Sequence, residues 1–338
     1  RNPQGSVLVA ANEQATARLG EAPRKTVLIN PIDAVQWSLY YPDTISSSKA
    51  GDPRRNQIQA AQRDLQQGQV SAARQAIDRA LALDPNNADA YSLRSAIALV
   101  QNRNAEALAD AQRAVAVNPA SSSAYLSLSL AQQAGFDLNT ALTAAQKAVE
   151  LEPNNPRALV QESSLLLGLG RLRDAIQVAE RARQQAPTDA MVNTVWGFLQ
   201  LAQNRVQEAE TAFQTAIAQD STLGLPHLGF GLALFRHNQT EAAVDEIRKA
   251  TLLEPQVSLY NSYLGKAFYE IKDNRRAEKY LELAKQLDPR DPTPWLYDAI
   301  RLQSINRPAE ALDNAQRSIA LNDNRAVYRS KLLLDGDL

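Results

Sequence analysis

One spacing governs this sequence. Pro85, Pro119, Pro153 and Pro187 stand 34 residues apart, as do Pro255 and Pro289, with Ser221 and Asp323 in the remaining slots. A second series at that period is Ala73, Ala107, Ala141, Ala175, Ala209, Ala243, Ala277 and Ala311; a third runs from Ala80 to Ala284 and ends at Ser318. A fourth is always small: Ala61, Ser95, Ser129, Ser163, Gly197, Gly231, Gly265 and Ala299. Units that begin at Arg54, Ala88, Ser122, Pro156, Ala190, Gly224, Ser258 and Pro292 put these series at unit positions 32, 20, 27 and 8. Eight units fill 54–325 without insertion. A period of this length belongs to stacked supersecondary units, each packed on its neighbours, and not to a globule around one core.

Each unit reads as two helices. In the seventh, Tyr260, Tyr263, Leu264, Ala267, Phe268 and Ile271 recur at i, i+3, i+4 spacing. Lys272-Asp273-Asn274 interrupts the pattern. Ala277, Tyr280, Leu281, Ala284 and Leu287 then mark a second helix that stops at Asp288-Pro289, because proline cannot continue a helix. Positions 8 and 20 are small throughout, so the two helices of a unit are expected to approach there. Larger residues at position 24, such as Ile77, Phe213, Ile247 and Leu281, are expected to fill the space toward the next unit. The expected fold class is an all-α solenoid of eight helix-turn-helix units.

The pattern resembles the tetratricopeptide repeat. The seventh unit shows Leu264-Gly265, Phe268, Ala277, Leu281, Ala284 and Pro289; the fifth shows Trp196-Gly197, Ala209, Phe213 and Ala216. Trp295, Tyr91 and Tyr125 occupy the early aromatic position of the eighth, second and third units. The resemblance implies a right-handed superhelix whose first helices line a concave groove. It also implies a non-enzymatic scaffold that binds a peptide or protein segment there.

Residues 1–45 differ in kind. Val7-Leu8-Val9, Thr26-Val27-Leu28-Ile29 and the alternating run Val35–Tyr41 predict short strands. Residues 46–53 form a polar linker. The stretch from Gly5-Ser6-Val7 through Pro31-Ile32-Asp33-Ala34-Val35-Gln36-Trp37 resembles the end of a FecR-like domain of bacterial envelope proteins. That resemblance implies a periplasmic or cell-surface location; without it the cytoplasm is the expectation. Residues 326–338 are expected to start a truncated capping or ninth helix, and both ends of the sequence look cut.

Little else carries chemistry. The chain has no cysteine, so disulfides, thiolate metal sites and cysteine nucleophiles are excluded. A net charge of -1, from 36 basic and 37 acidic residues, argues against a nucleic-acid partner. No run of 18 apolar residues is present, so no membrane insertion of this segment is expected. His227 and His237, the two histidines, have no acidic partner at metal-ligand spacing in the sequence. Ser46-Ser47-Ser48-Lys49 lies in the linker, and Gly168-Leu169-Gly170 and Gly229-Phe230-Gly231 do not follow strands, so neither a Ser-Lys nor a phosphate-loop reading applies. No catalytic, metal or cofactor site is expected, and the protein is not expected to be an enzyme.

The groove is the informative surface. Positions 2, 5, 9, 12 and 13 of each unit are expected to face inward. Units two to four offer mostly small or polar residues there, Asp89, Ser92, Ala96, Ser123 and Ser164, with Leu126, Leu130 and Val160. Units five to seven offer Met191, Phe198, Leu225, Leu228, Leu232, Phe235, Leu259 and Tyr269, edged by Lys266, Arg236 and Glu270. Two readings follow: an apolar groove for a peptide, or residues buried by curvature between neighbouring first helices. The functional expectation is therefore a protein–protein interaction scaffold. Its alternative is a structural envelope or surface-assembly component, self-assembling through its N-terminal strands.

Overall fold

A computed structural model describes residues 13–16, 24–27, 53–66 and 69–322. Sixteen helices form eight antiparallel hairpins in register with the 34-residue period. The first helices are α1 (Pro53–Gln66), α3 (Ala88–Val100), α5 (Ser122–Ala134), α7 (Pro156–Gly168), α9 (Ala190–Ala202), α11 (Gly224–Arg236), α13 (Ser258–Glu270) and α15 (Pro292–Ser304). Their partners are α2 (Val70–Leu83), α4 (Asn104–Val117), α6 (Leu138–Leu151), α8 (Leu172–Gln185), α10 (Val206–Gln219), α12 (Thr240–Leu253), α14 (Asn274–Leu287) and α16 (Pro308–Leu321). Each helix packs on its hairpin partner, and α2 to α15 also pack on an adjacent hairpin, the one-dimensional packing of a solenoid. Two four-residue strands, β1 (Glu13–Thr16) and β2 (Arg24–Val27), pair antiparallel. Thr26-Val27 falls in β2; the expected strands at 7–9 and 35–41, and the expected capping helix at 326–338, lie outside the described residues.

The small-residue series does what its size requires. Ser95 Oγ donates to the Ala107 carbonyl and Ser163 Oγ to the Ala175 carbonyl, both at 2.8 Å, which joins position 8 to position 20 of the same hairpin. A Cβ on Gly231 would lie 2.6 Å from Ile247 Cγ1 and 3.0 Å from the Ala243 carbonyl. Positions 1 and 27 form a second close approach, since Ser122 Oγ and Ser258 Oγ lie 3.0 Å from the Ala148 and Ala284 carbonyls. Overpacking these seams is expected to cost about 1–3 kcal/mol for Ala175→Leu or Gly231→Leu. The exposed change Gln214→Leu should stay within about 0.5 kcal/mol. Urea melts of the three variants check this, and equal stabilities would overturn the assignment of the seam.

Two backbone positions recur as well. The residue at position 15, in the turn inside the hairpins of units two to eight, takes the left-handed conformation: Asn102, Phe136, Gly170, Asn204, Asn238, Lys272 and Asn306 have φ between 53° and 75°. Asparagine and glycine suit that slot; phenylalanine and lysine do not. Position 34 caps the next first helix. Asn87, Ser121, Asn155, Asp189 and Asp291 each accept a backbone N–H there, whereas Leu223 and Val257 offer no side-chain cap.

Candidate binding chamber

Three of these four exceptions converge in space; Lys272 does not line the same surface. Phe136, Leu223 and Val257 line one chamber of about 470 Å³ inside the curve of the solenoid. Its first wall comes from the hairpin turns of units two and three, with Leu99, Val100, Leu130 and Leu138. Its second wall comes from the N-terminal ends of α9, α11, α13 and α15, with Met191, Leu225, Leu259 and Thr293. Asn102 bridges the two. Its Nδ2 donates to the Leu287 carbonyl at 3.3 Å and approaches the Gln256 carbonyl at 3.5 Å, across 185 and 154 residues of chain. The superhelix therefore curls until unit two meets the joint between units six and seven.

Loss of the caps explains part of the construction. With Leu223 in the cap position, the α11 N-terminus has no local acceptor. Glu254, at the far end of the same hairpin, reaches back, and the Gly224 N–H donates to its Oε1 at 2.8 Å. The position suits a carboxylate poorly in one respect: burial pushes the Glu254 carboxyl up to about 7, against the opposing pull of the Gly224 N–H. Burial, with the Glu254 charge beside it, also raises the Tyr260 phenol well above its ordinary range. Gly224 is required for this approach, because a Cβ there would lie 2.7 Å from Tyr260 Cε2 and 2.9 Å from Glu254 Oε1.

A pH dependence follows. Glu254 binds its proton more tightly folded (about 7) than at its ordinary value of 4.5. Between those values the native state holds the extra proton, so stability falls as pH rises and levels off above about 7. The full span corresponds to about 3 kcal/mol. Burial raises Asp89, Glu162 and Asp288 in the same direction. Glu254→Gln is expected to flatten the decline between pH 5 and pH 8 and to exceed the wild type at pH 8 but not at pH 5. Urea melts at the two pH values check this; parallel pH profiles for both proteins would contradict it.

The expected groove residues separate into three groups. Met191, Leu225 and Leu259, all at position 2, line the chamber. Leu228 and Leu232 do not face a groove: they are 2% and 4% exposed and belong to the core. Position 5 is buried between neighbouring first helices in other units too, as at Ser92, Leu126 and Ser262, so there curvature decides. Phe198, Phe235, Lys266 and Tyr269 are half-buried. Phe198 packs edge-on to Phe213 with centroids 5.0 Å apart, and Lys266 Nζ stands 5.5 Å over the Tyr297 ring. The sequence reading missed Phe136, Leu223, Glu254 and Val257. For Leu223, Val257 and Phe136 the signal was present as departures from the series at positions 34 and 15; Glu254, at position 31, follows a series that is acidic or amide in most units and gave none.

Both histidines have an acidic partner in space. His227 Nδ1 lies 2.6 Å from Glu246 and His237 Nδ1 lies 2.7 Å from Glu210, partners that the hairpin geometry supplies and sequence spacing hides. Burial raises the Glu246 carboxyl, but His227 and Lys249 together hold it below its ordinary value. Among the described residues no group of three or more His, Cys, Asp or Glu side chains is placed to hold a metal ion. None of their helices is long and apolar enough to cross a membrane.

Eight in-register hairpins with small-residue seams define a helical-repeat solenoid. Tetratricopeptide-repeat family models match residues 58–125, 130–195 and 228–292, and the chain belongs to the tetratricopeptide-repeat family. No curated protein sequence matches it significantly. The fold is similar to human IFIT1 solved as a dimer with m7Gppp-AAAA, with a TM-score of 0.63 and 13% identity over 90% of this chain and 86% of that one. The same dimer with PPP-AAAA gives 0.62 at 13% identity, with the same coverage. The APC/C hetero-tetramer Cut9–Hcn1 gives 0.58 at 17% identity, covering 90% of this chain and 62% of that one. The chain thus spans less than two thirds of the Cut9–Hcn1 chain that it matches. At these identities the likeness is one of fold.

Proposed function

We propose that this protein is a scaffold that holds an extended or helical segment of a partner protein on its concave face, without chemistry of its own. The observation that carries the reading is the apolar chamber, built where two caps and one turn residue depart from the repeat. Three of the four departures from local rules meet there, as expected where function outweighs local stability. The half-buried Phe198, Phe235 and Tyr269, with Lys266, extend the same face as anchors beyond Met191, Leu225 and Leu259. IFIT1 is crystallised with capped RNA. Among the described residues that line the chamber here, none is Lys, Arg or His, which disfavours a phosphate backbone. The envelope location implied by residues 1–45 is carried as part of the proposal.

A displayed-peptide library panned over the wild type and over a Phe198, Phe235 and Tyr269 triple-alanine variant tests this reading. Aromatic anchors dominate such interfaces, so loss of Phe235 alone should weaken a selected peptide by about 2 kcal/mol. Identical selected sequences and affinities for both proteins, with matched circular dichroism, would sink the anchor assignment.

A further inference from the structure

The chamber's charge inventory narrows the partner. We infer that the chamber takes an apolar peptide segment flanked by basic residues; this rests on the docking reading above. Its two walls present leucines and Phe136 to the same space, so an inserted apolar side chain meets carbon on both sides. A volume of about 470 Å³ accommodates a short stretch of side chains and not a folded domain. The ionisable side chains of known charge in the lining are carboxylates: Glu254, Asp288 and Asp291. Asp291 caps α15 through the Thr293 N–H and lies 2.9 Å from Ser258 Oγ, and Asp288 accepts the Arg290 N–H.

Helix dipoles oppose these charges but do not cancel them. The N-terminal ends of α9, α11, α13 and α15 contribute roughly half a positive charge each, about +2 together. Asp288 and Asp291 with a half-ionised Glu254 amount to about −2.5 at neutral pH, which still exceeds that sum. The arginines nearest the bridge, Arg74 and Arg103, are both paired with Glu106 and line the other side of Asn102. An acidic flank would therefore meet like charge at a poorly solvated wall, whereas a lysine or arginine would meet an acceptor. A cation close to Glu254, whose carboxyl sits at about 7, would also hold it ionised at neutral pH.

Three dansyl-labelled synthetic decapeptides test the inference by fluorescence anisotropy. The first has a leucine core with lysine flanks. The second has the same core with glutamate flanks. The third has a serine core with lysine flanks. The first is expected to bind about tenfold tighter than either of the others. Glu254→Gln combined with Asp288→Asn should erase most of the lysine-over-glutamate preference and keep the leucine preference. Leu225→Gln with Leu259→Gln should erase the leucine preference, with circular dichroism confirming the fold. If the glutamate peptide binds as tightly and still requires Leu225 and Leu259, the chamber docks segments but the basic class is wrong. If neither leucine peptide depends on Leu225 and Leu259, docking in the chamber itself fails. If binding of the first peptide appears only after residues 323–338 are removed, the occupant is the chain's own C-terminal segment and the inference falls.

Discussion

Replacing Asp298 with alanine is expected to destabilise the protein by about 3 kcal/mol, because it removes the one buried carboxylate from two buried cations and leaves Lys285 with the half-exposed Glu282 at 2.7 Å and Arg301 with the half-exposed Glu278 at 3.6 Å. Lys285 Nζ lies 2.6 Å from Asp298 Oδ2, Arg301 Nε donates to Oδ1 at 2.7 Å, and Asn314 Nδ2 donates to Oδ2 at 2.8 Å. All three charged side chains are under 10% exposed. Lys285 also stands 4.6 Å over the Trp295 ring, so its position is fixed from two sides. The cluster ties α14, α15 and α16 together in the last described hairpins. A contrasting variant separates charge from packing. Asp298→Leu with Lys285→Met and Arg301→Met removes every stranded charge and should be close to neutral or more stable. Urea melts of the single and triple variants decide it. A mild effect of Asp298→Ala, below about 1 kcal/mol, would mean that water or Glu278 and Glu282 solvate the cations.

Phe213→Ala is expected to be comparably severe, about 3–5 kcal/mol. Phe213 is fully buried at the joint between units five and six. The ring sits where two glycines leave room: a Cβ on Gly197 would lie 2.6 Å from it and one on Gly229 would lie 2.2 Å from it. Gly197 belongs to its own hairpin and Gly229 to the next, so one side chain sets the spacing both within and between repeats. Because ring and glycines fill one volume, their substitutions should not add. Gly229→Ala should cost about 1–3 kcal/mol in the wild-type background. It should cost clearly less when Phe213 is already leucine. Additive costs in a double-mutant cycle would show that the glycine is there for another reason.

How far the sequence foretold this depends on what each residue answers to. The seams were legible because sterics impose one answer in every unit: Ser95, Gly231 and Gly265 are small since a carbonyl or side chain of the partner helix lies beside them. Repetition eight times over exposes such a constraint. The groove was legible only in part. Met191, Leu225 and Leu259 share position 2 with Asp89 and Ser123, yet position 5 turned inward, because the tightness of the superhelical curl is a sum of small rotations between repeats. No single residue encodes that sum. The chamber is a consequence of the same curl, which brings Asn102 to Leu287, so its two walls could not be paired from spacing alone. Its components were nevertheless visible as violations: Leu223 and Val257 in a series of caps, and Phe136 in a turn series that is otherwise asparagine or glycine except at Lys272. The repeat's regularity is what turns a violation into a signal.

Met191 permits a direct test. It is the one methionine of the chain, and it stands in the chamber wall. Protein labelled with carbon-13 at the methionine methyl group should give one native resonance, reporting on the chamber. Titration with the lysine-flanked leucine peptide is predicted to shift or broaden that resonance in proportion to the anisotropy change, and Leu225→Gln with Leu259→Gln to abolish both together. A peptide that binds fully while the Met191 methyl resonance stays unmoved would place the binding surface elsewhere and contradict the account.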